Sequence, residues 1–207
     1  MDALKTGTTM SGQPLQTRLF AATPTLIPQM GSDGRWNGRI VKVELVLLRG
    51  LDGGARMHLW LGPDPRPHNH PWHWIDCKVV RGSYVAIEYV PDGEGGYDER
   101  VIPLSAGNPE HRVQHDTHHQ IVSVQPGTLS VMSFGSVVGD GKQWGHLVKD
   151  ANGFCYEPAP SVGSSSPGGY IDALRHCNPH LRPVDWADPY ADMPVPDVNT
   201  VVDGLNI

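Results

Sequence analysis

A chain of 207 residues is long enough for one domain with a real core and only marginally long enough for two. Hydrophobic residues make up 39%, while 24 Gly and 19 Pro point to many turns and short extended segments rather than long helices. The formal charge of -6, spread along the chain, offers no basic surface to a phosphate backbone; no apolar run reaches the roughly 20 residues of a membrane helix, and no charged-then-apolar leader opens the sequence. Nucleic acid and membrane are therefore not expected as partners, and a cytoplasmic location is the expectation.

Residues 1–36 mix Gly, Thr, Pro and Gln with short apolar pieces such as Leu26-Ile27 and keep no period, which reads as an extended N-terminal arm. From Arg39 the character changes. Ile40 to Leu48 is apolar and rich in β-branched residues, and it ends at Gly50 before the turn signal Asp52-Gly53-Gly54, as a strand would. Arg56-Met57-His58-Leu59-Trp60-Leu61 then alternates with the period of two expected of a strand with differently used faces. Strand-like runs recur at 74–81, 83–90, 98–103, 118–124, 129–135 and 144–149, separated by Gly, Pro, Asp or Asn clusters. Short strands at this spacing predict an all-β sandwich or barrel over residues 37–158.

Beyond Pro158 the pattern fails. Ser161 to Gly169 is a Ser/Gly/Pro linker, and the C-terminal tail, 159–207, is rich in Pro and Asp with one short helix predicted from Tyr170 to His176. Trp186, Tyr190, Val195 and Val201-Val202 give this tail enough apolar content to wrap the barrel or a neighbouring subunit. Cys77, Cys155 and Cys177 are odd in number and widely spaced, so they form no disulfide framework or zinc knuckle and read as buried thiols.

The compositional departure that matters is 11 His, several of them crowded between positions 58 and 119. In Gly62-Pro63-Asp64-Pro65-Arg66-Pro67-His68-Asn69-His70-Pro71-Trp72, the prolines exclude a helix. Two histidines two residues apart on extended backbone point the same way, so both imidazoles can bind one cation. The same pair in a His-rich chain can also be two solvated loop residues.

Gly62, then His68-x-His70, then Gly82 closing the next strand resembles the first motif of the cupin superfamily. More narrowly, Arg56 to Leu61, His68-Asn69-His70-Pro71-Trp72, Gly82-Ser83-Tyr84, His119-Gln120-Ile121-Val122, Pro126-Gly127-Thr128 and Trp144-Gly145 follow one another as in small bacterial and phage cupin-like proteins with His-x-His-Pro-Trp. The resemblance covers roughly residues 39–157. It implies a single double-stranded β-helix (jelly-roll) barrel and one divalent transition metal on His68, His70 and His119. Iron(II) is the expected ion, with Ni, Zn, Cu or Mn open.

The sequence departs from the cupin pattern where its glutamate ligand would fall, because Trp74 and Ile75 stand there. Asp76 is the nearest carboxylate and would share the face of His68 and His70 if the strand ran unbroken from one to the other, so a fourth ligand at Asp76 is an open alternative. Alternation lets only one of His118 and His119 face inward, and the resemblance selects His119. His111 and His115 read as exposed, and His73 as packed between Trp72 and Trp74.

Arg56, His58, Trp60, Trp74, Trp144 and His146 are the candidate substrate-binding residues, with an aromatic or partly apolar molecule suggested by the tryptophans. Three functions follow. The first is an iron oxygenase acting on a small molecule with O2; the second is an isomerase, lyase or hydrolase that uses the metal as Lewis acid; the third is a barrel that binds a small ligand without catalysis. Exposed sheet edges lead us to expect a homodimer.

Overall fold

The computed structural model describes residues 24–31, 34–50, 52–139, 144–151, 153–158, 169–180 and 197–205. In chain order the strands are β1 (Thr25–Met30), β2 (Trp36–Gly50), β3 (Gly53–Trp60), β4 (Trp74–Arg81), β5 (Ser83–Pro91), β6 (Tyr97–Ser105), β7 (His111–Gln114), β8 (His118–Val124), β9 (Leu129–Phe134), β10 (Gly145–Asp150) and β11 (Gly153–Pro158). Two helices follow, α1 (Tyr170–Cys177) and α2 (Val198–Leu205). No helix among the described residues is long and apolar enough to cross a membrane.

All strand pairs are antiparallel. One sheet runs β1-β2-β3-β9-β4-β7. The other is built from β6-β5-β8 and the hairpin β10-β11, joined by the chain around His68. That segment lies between β8 and β10: His68 N–H donates to His119 O (2.9 Å), His119 N–H returns to His68 O (2.8 Å), and Leu147 N–H reaches Pro67 O (3.0 Å).

Alternation along the strands sends one set of side chains between the sheets. Val41, Trp60, Val79, Tyr84, Ala86, Leu104 and Ile121 form one interior cluster, and Ile75, Val113, Met132 and Phe134 continue it. The outer face of the first sheet is also apolar, at Leu47, Ala55, Met57 and Val131, and α2 covers it with Val198, Val201 and Leu205. Burying each such aliphatic side chain contributes about 1.5–3 kcal/mol. Between β4 and β5 the chain turns at Gly82, whose φ is 79°. A Cβ there would lie 2.5 Å from Thr128 Oγ1, and that hydroxyl is held in place, donating to Gln125 O and accepting the N–H of Ser83, so the turn admits only glycine.

The eight strands expected from the sequence are present, and the helix predicted from Tyr170 extends to Cys177. Three strands and a helix were not expected. Part of the predicted arm is β1, paired to β2 with register shifts on both sides of Pro28; those shifts erase the period that would have marked it. β7 has only four residues, and β11 is half exposed and polar at its end. The helix α2 is dense in β-branched residues, but Asp197 opens it: Oδ1 accepts the N–H of Asn199 and Thr200 (3.0 and 3.1 Å), an ordinary N-cap. The linker residues 161–168 and Trp186, Tyr190 and Val195 lie outside the described residues. Cys155, expected to be buried, is exposed on the outer hairpin strand.

Candidate metal centre

The link between β3 and β4 carries prolines at 63, 65, 67 and 71 and so cannot collapse into a helix. It is fixed by Asn69, whose side chain is buried: Nδ2 donates to His115 O (3.0 Å) and Oδ1 accepts Gly145 N–H (2.7 Å). His115 Nδ1 in turn donates to His70 O (2.7 Å). These bonds hold His68 and His70 against β8, which supplies His119.

One ring nitrogen from each of His68, His70 and His119 lies within 4.8 Å of the other two. The ring centroids are 4.9–5.0 Å apart, and His70 Nε2 stands 2.9 Å from His119 Nε2. Burial, and then the neighbouring imidazoles, hold both His70 and His119 well below the usual histidine range, so both are neutral near pH 7 and carry a lone pair. His68 Nδ1 donates to Arg66 O (3.2 Å), because a carbonyl can only accept, so Nε2 is the nitrogen that would hold an ion. Three imidazole nitrogens converging on one point fit a divalent transition ion.

His70 is backed by an aromatic stack. Trp72 lies 5.3 Å from it at an interplanar angle of 20°, Phe134 lies 4.2 Å beyond Trp72, and the Arg56 guanidinium sits 5.0 Å from both of those rings. Arg56 Nη1 also donates to Glu44 Oε1 (3.0 Å), whose second oxygen is 3.2 Å from His58 Nε2. Burial pushes the Glu44 carboxyl up, but the Arg56 charge and the His58 contact outweigh it and hold the group below the usual carboxylate range. His58 is pushed down to about 4, by burial first and the Lys42 charge second.

Beneath the three histidines the interior leaves about 30 Å³ for the centres of water-sized molecules. Lys42, His58, Trp60, Asp64, Cys77 and His111 are among its walls. Burial raises the Cys77 thiol to about 12, which keeps it protonated and inert.

The structure brings His58 and Trp60 to this cavity, with Trp60 Nε1 donating to Ser130 Oγ (2.9 Å), and Arg56 stands behind His70. Asp76 is not brought to it. Residues 71–73 break the strand, and on β4 the inward positions are Ile75, Cys77 and Val79. Asp76 therefore faces the other way, where Arg112 grips both of its oxygens at 2.7 and 2.6 Å. Trp74 shares that outer face, under the Arg112 guanidinium at 4.9 Å. Trp144 packs 6.0 Å from the His146 ring, outside the cavity wall. His146 lies beside the cluster, its ring 6.2 Å from that of His68.

His118 does face away from His119, as alternation requires, yet it too is buried, edge-on to Tyr97 and Tyr156 (5.9 and 5.7 Å), because the β10-β11 hairpin covers that face. His111, expected to be exposed, lines the cavity, with Nε2 2.9 Å from Glu88 Oε1. His115, also expected outside, is the bond to His70 O described above. His73, expected between tryptophans, is exposed. Asn69, Lys42 and Glu88 went unread; the alternation of β5, with Tyr84 and Ala86 facing inward, would have pointed Glu88 into the barrel.

No protein-family model and no curated protein matches the chain in sequence. Among solved structures it is similar to KdgF from Halomonas sp., at 19% identity over 53% of this chain and 95% of that one, with a TM-score of 0.37. It is also similar to oxalate decarboxylase from Bacillus subtilis, at 10% identity over 62% of this chain and 30% of that one, with a TM-score of 0.42. For oxalate oxidase in complex with the substrate analogue glycolate the values are 16% identity, 66% and 59% coverage and a TM-score of 0.35. The fold is thus the all-β barrel expected from the sequence, two antiparallel sheets closed face to face with a three-histidine cluster between them.

Proposed function

We propose that this chain is a mononuclear metal-dependent enzyme, an Fe(II) oxygenase acting on a small polar organic molecule, with the ion on His68, His70 and His119. One observation carries the reading: three imidazole nitrogens within 4.8 Å of one another open onto an interior cavity that Lys42, His58, Asp64 and His111 also line. A bound ion would supply Lewis acidity and one-electron chemistry there, with coordination positions to spare. The chain's own part is orientation and exclusion. Trp72 and Phe134 hold the His70 ring plane from behind, Arg66 O fixes the tautomer of His68, and a cavity of this size admits few waters. Lys42, His58, Asp64 and His111, set among aliphatic walls such as Leu104 and Ile121, argue for a substrate with a polar end rather than the aromatic one suggested by the sequence, since Trp74 and Trp144 do not reach it.

A second reading rests on the His111 and Glu88 pair. A buried carboxylate 2.9 Å from the ring fixes the orientation of the imidazole at the cavity wall, as a proton carrier requires; with the ion as Lewis acid, this is isomerase, lyase or hydrolase chemistry.

Metal analysis of protein purified without chelator comes first, with His70→Ala as control. Oxygen uptake by the Fe(II) form with a panel of small polar substrates then supports the oxygenase; turnover that persists without O2 and collapses in His111→Gln selects the second reading. Absence of bound metal leaves a barrel that only binds a ligand. The homodimer belongs to the same reading and is checked by light scattering.

A further inference from the structure

The metal-centre reading leaves one cation in the cavity unexplained. Lys42 stands on β2 opposite Trp60, with Nζ 4.7 Å from the centre of the indole ring. It lines the same space as His58, Asp64, His68, His70 and His119. Among the described residues no carboxylate lies within 4.0 Å of it and no acceptor takes a hydrogen bond from it. The interior anions are already engaged. Glu44 holds Arg56 and faces His58, Glu88 meets His111, and Asp64 Oδ2 accepts the N–H of Ile121 at 3.1 Å.

An ammonium carries three donors, and the face of an indole satisfies its charge only in part. A half-buried cation without a counter-ion is costly to hold beside three histidines that a metal would make more positive still. The arrangement makes sense once a negative group enters. We propose that the substrate is a small monocarboxylate, its charged end bound by the Lys42 ammonium while the rest of the molecule faces the three-histidine centre. The size follows from the cavity, where about 30 Å³ for water-sized centres leaves room for roughly two waters and hence a few heavy atoms. The single charge follows from Asp64 on the same wall, which repels a dianion such as phosphate.

This inference rests on the metal-centre reading, and the experiment separates the two. Metal content of the full chain is measured first in the wild type and in Lys42→Met and Lys42→Arg. Acetate and the neutral isostere acetamide are then titrated into each form by calorimetry. We expect equal metal content in all three, acetate binding weakened roughly tenfold or more in Lys42→Met, the size of one lost charge-assisted hydrogen bond, little change for acetamide, and recovery in Lys42→Arg. Acetate binding equal in wild type and Lys42→Met overturns the inference, as does equal weakening of acetate and acetamide, which marks a general disturbance of the cavity. If the wild type carries no metal, the metal-centre reading fails; the same titrations on the metal-free chain still decide the role of Lys42 by the same comparison. Should Lys42→Met lose its fold by circular dichroism, Lys42→Gln replaces it.

Discussion

Acidification from pH 7 to pH 5 should destabilise this protein by about 2 kcal/mol through His58 alone. The ring is 3% exposed, and burial with the Lys42 charge lowers it from 6.5 to about 4. Folded protein therefore keeps it neutral across a range in which the unfolded chain takes up a proton. Its contribution is fully present above about 6.5 and is lost as the pH falls toward 4, reaching about 3 kcal/mol at the lower end. Glu44, held below the usual carboxylate range, stays ionised throughout and adds slope only as the pH approaches 4.5 and below, so the interval from 7 to 5 isolates the histidine. His118 and His146, also pushed down to about 4 by burial, contribute equally to wild type and variant and cancel in the comparison. The perturbation is His58→Gln, which cannot titrate. Urea unfolding at both pH values, with chelator present so that ligand titration by metal does not enter, gives four stabilities. The gap between wild type and variant should narrow by about 2 kcal/mol on going from pH 7 to 5. A gap unchanged by pH would mean that His58 is not kept neutral by its surroundings, and the argument from burial would fall.

Four further outcomes are expected. His70→Ala removes one of three nitrogens, and metal content should drop well below one ion per chain; unchanged stoichiometry would dismiss the centre. Asp76→Asn should leave metal content intact while lowering stability by about 1–3 kcal/mol, because it breaks a two-oxygen grip by Arg112 on a buried carboxylate; loss of metal would restore Asp76 as a ligand. Leu205→Ala empties the inner face of α2 and should cost about 2–5 kcal/mol in chemical denaturation, whereas a tail that merely trails would show no change. Gly82→Ala forces a positive φ and a 2.5 Å contact with Thr128, and a loss of about 1–3 kcal/mol should appear in the thermal midpoint.

The barrel was legible because β-branched alternation between Gly, Pro and Asp turns is a local signal, and the His-x-His pair was legible because prolines forbid the helix that would splay it. What escaped were features set by distant partners. β1 reads as an arm until β2 is there to pair with Thr25 and Leu26. Asp76 reads as a ligand if the chain from His68 stays in register, and the break at 71–73 shifts the face. His111 and His115 look like loop residues because each finds its partner, Glu88 or the carbonyl of His70, across more than 20 positions of sequence. Lys42 and Glu44 sit in a run of aliphatics that are apolar on both faces, so which face the two share is open until β3 places Lys42 opposite Trp60 and Glu44 opposite His58.

The metal centre owes its geometry to sheet register more than to its loop. His68 and His119 are backbone partners in both directions, so their ring nitrogens are set by the same hydrogen bonds that close the second sheet. His70 has no such ladder partner and is held by the His115 bond to its carbonyl and by Trp72 and Phe134 at its back. Sequence changes at Trp72 should therefore move one nitrogen and leave the other two in place. Burial and the two neighbouring imidazoles dominate the electrostatics of that ring, with the Lys42 and Arg56 charges adding in the same direction.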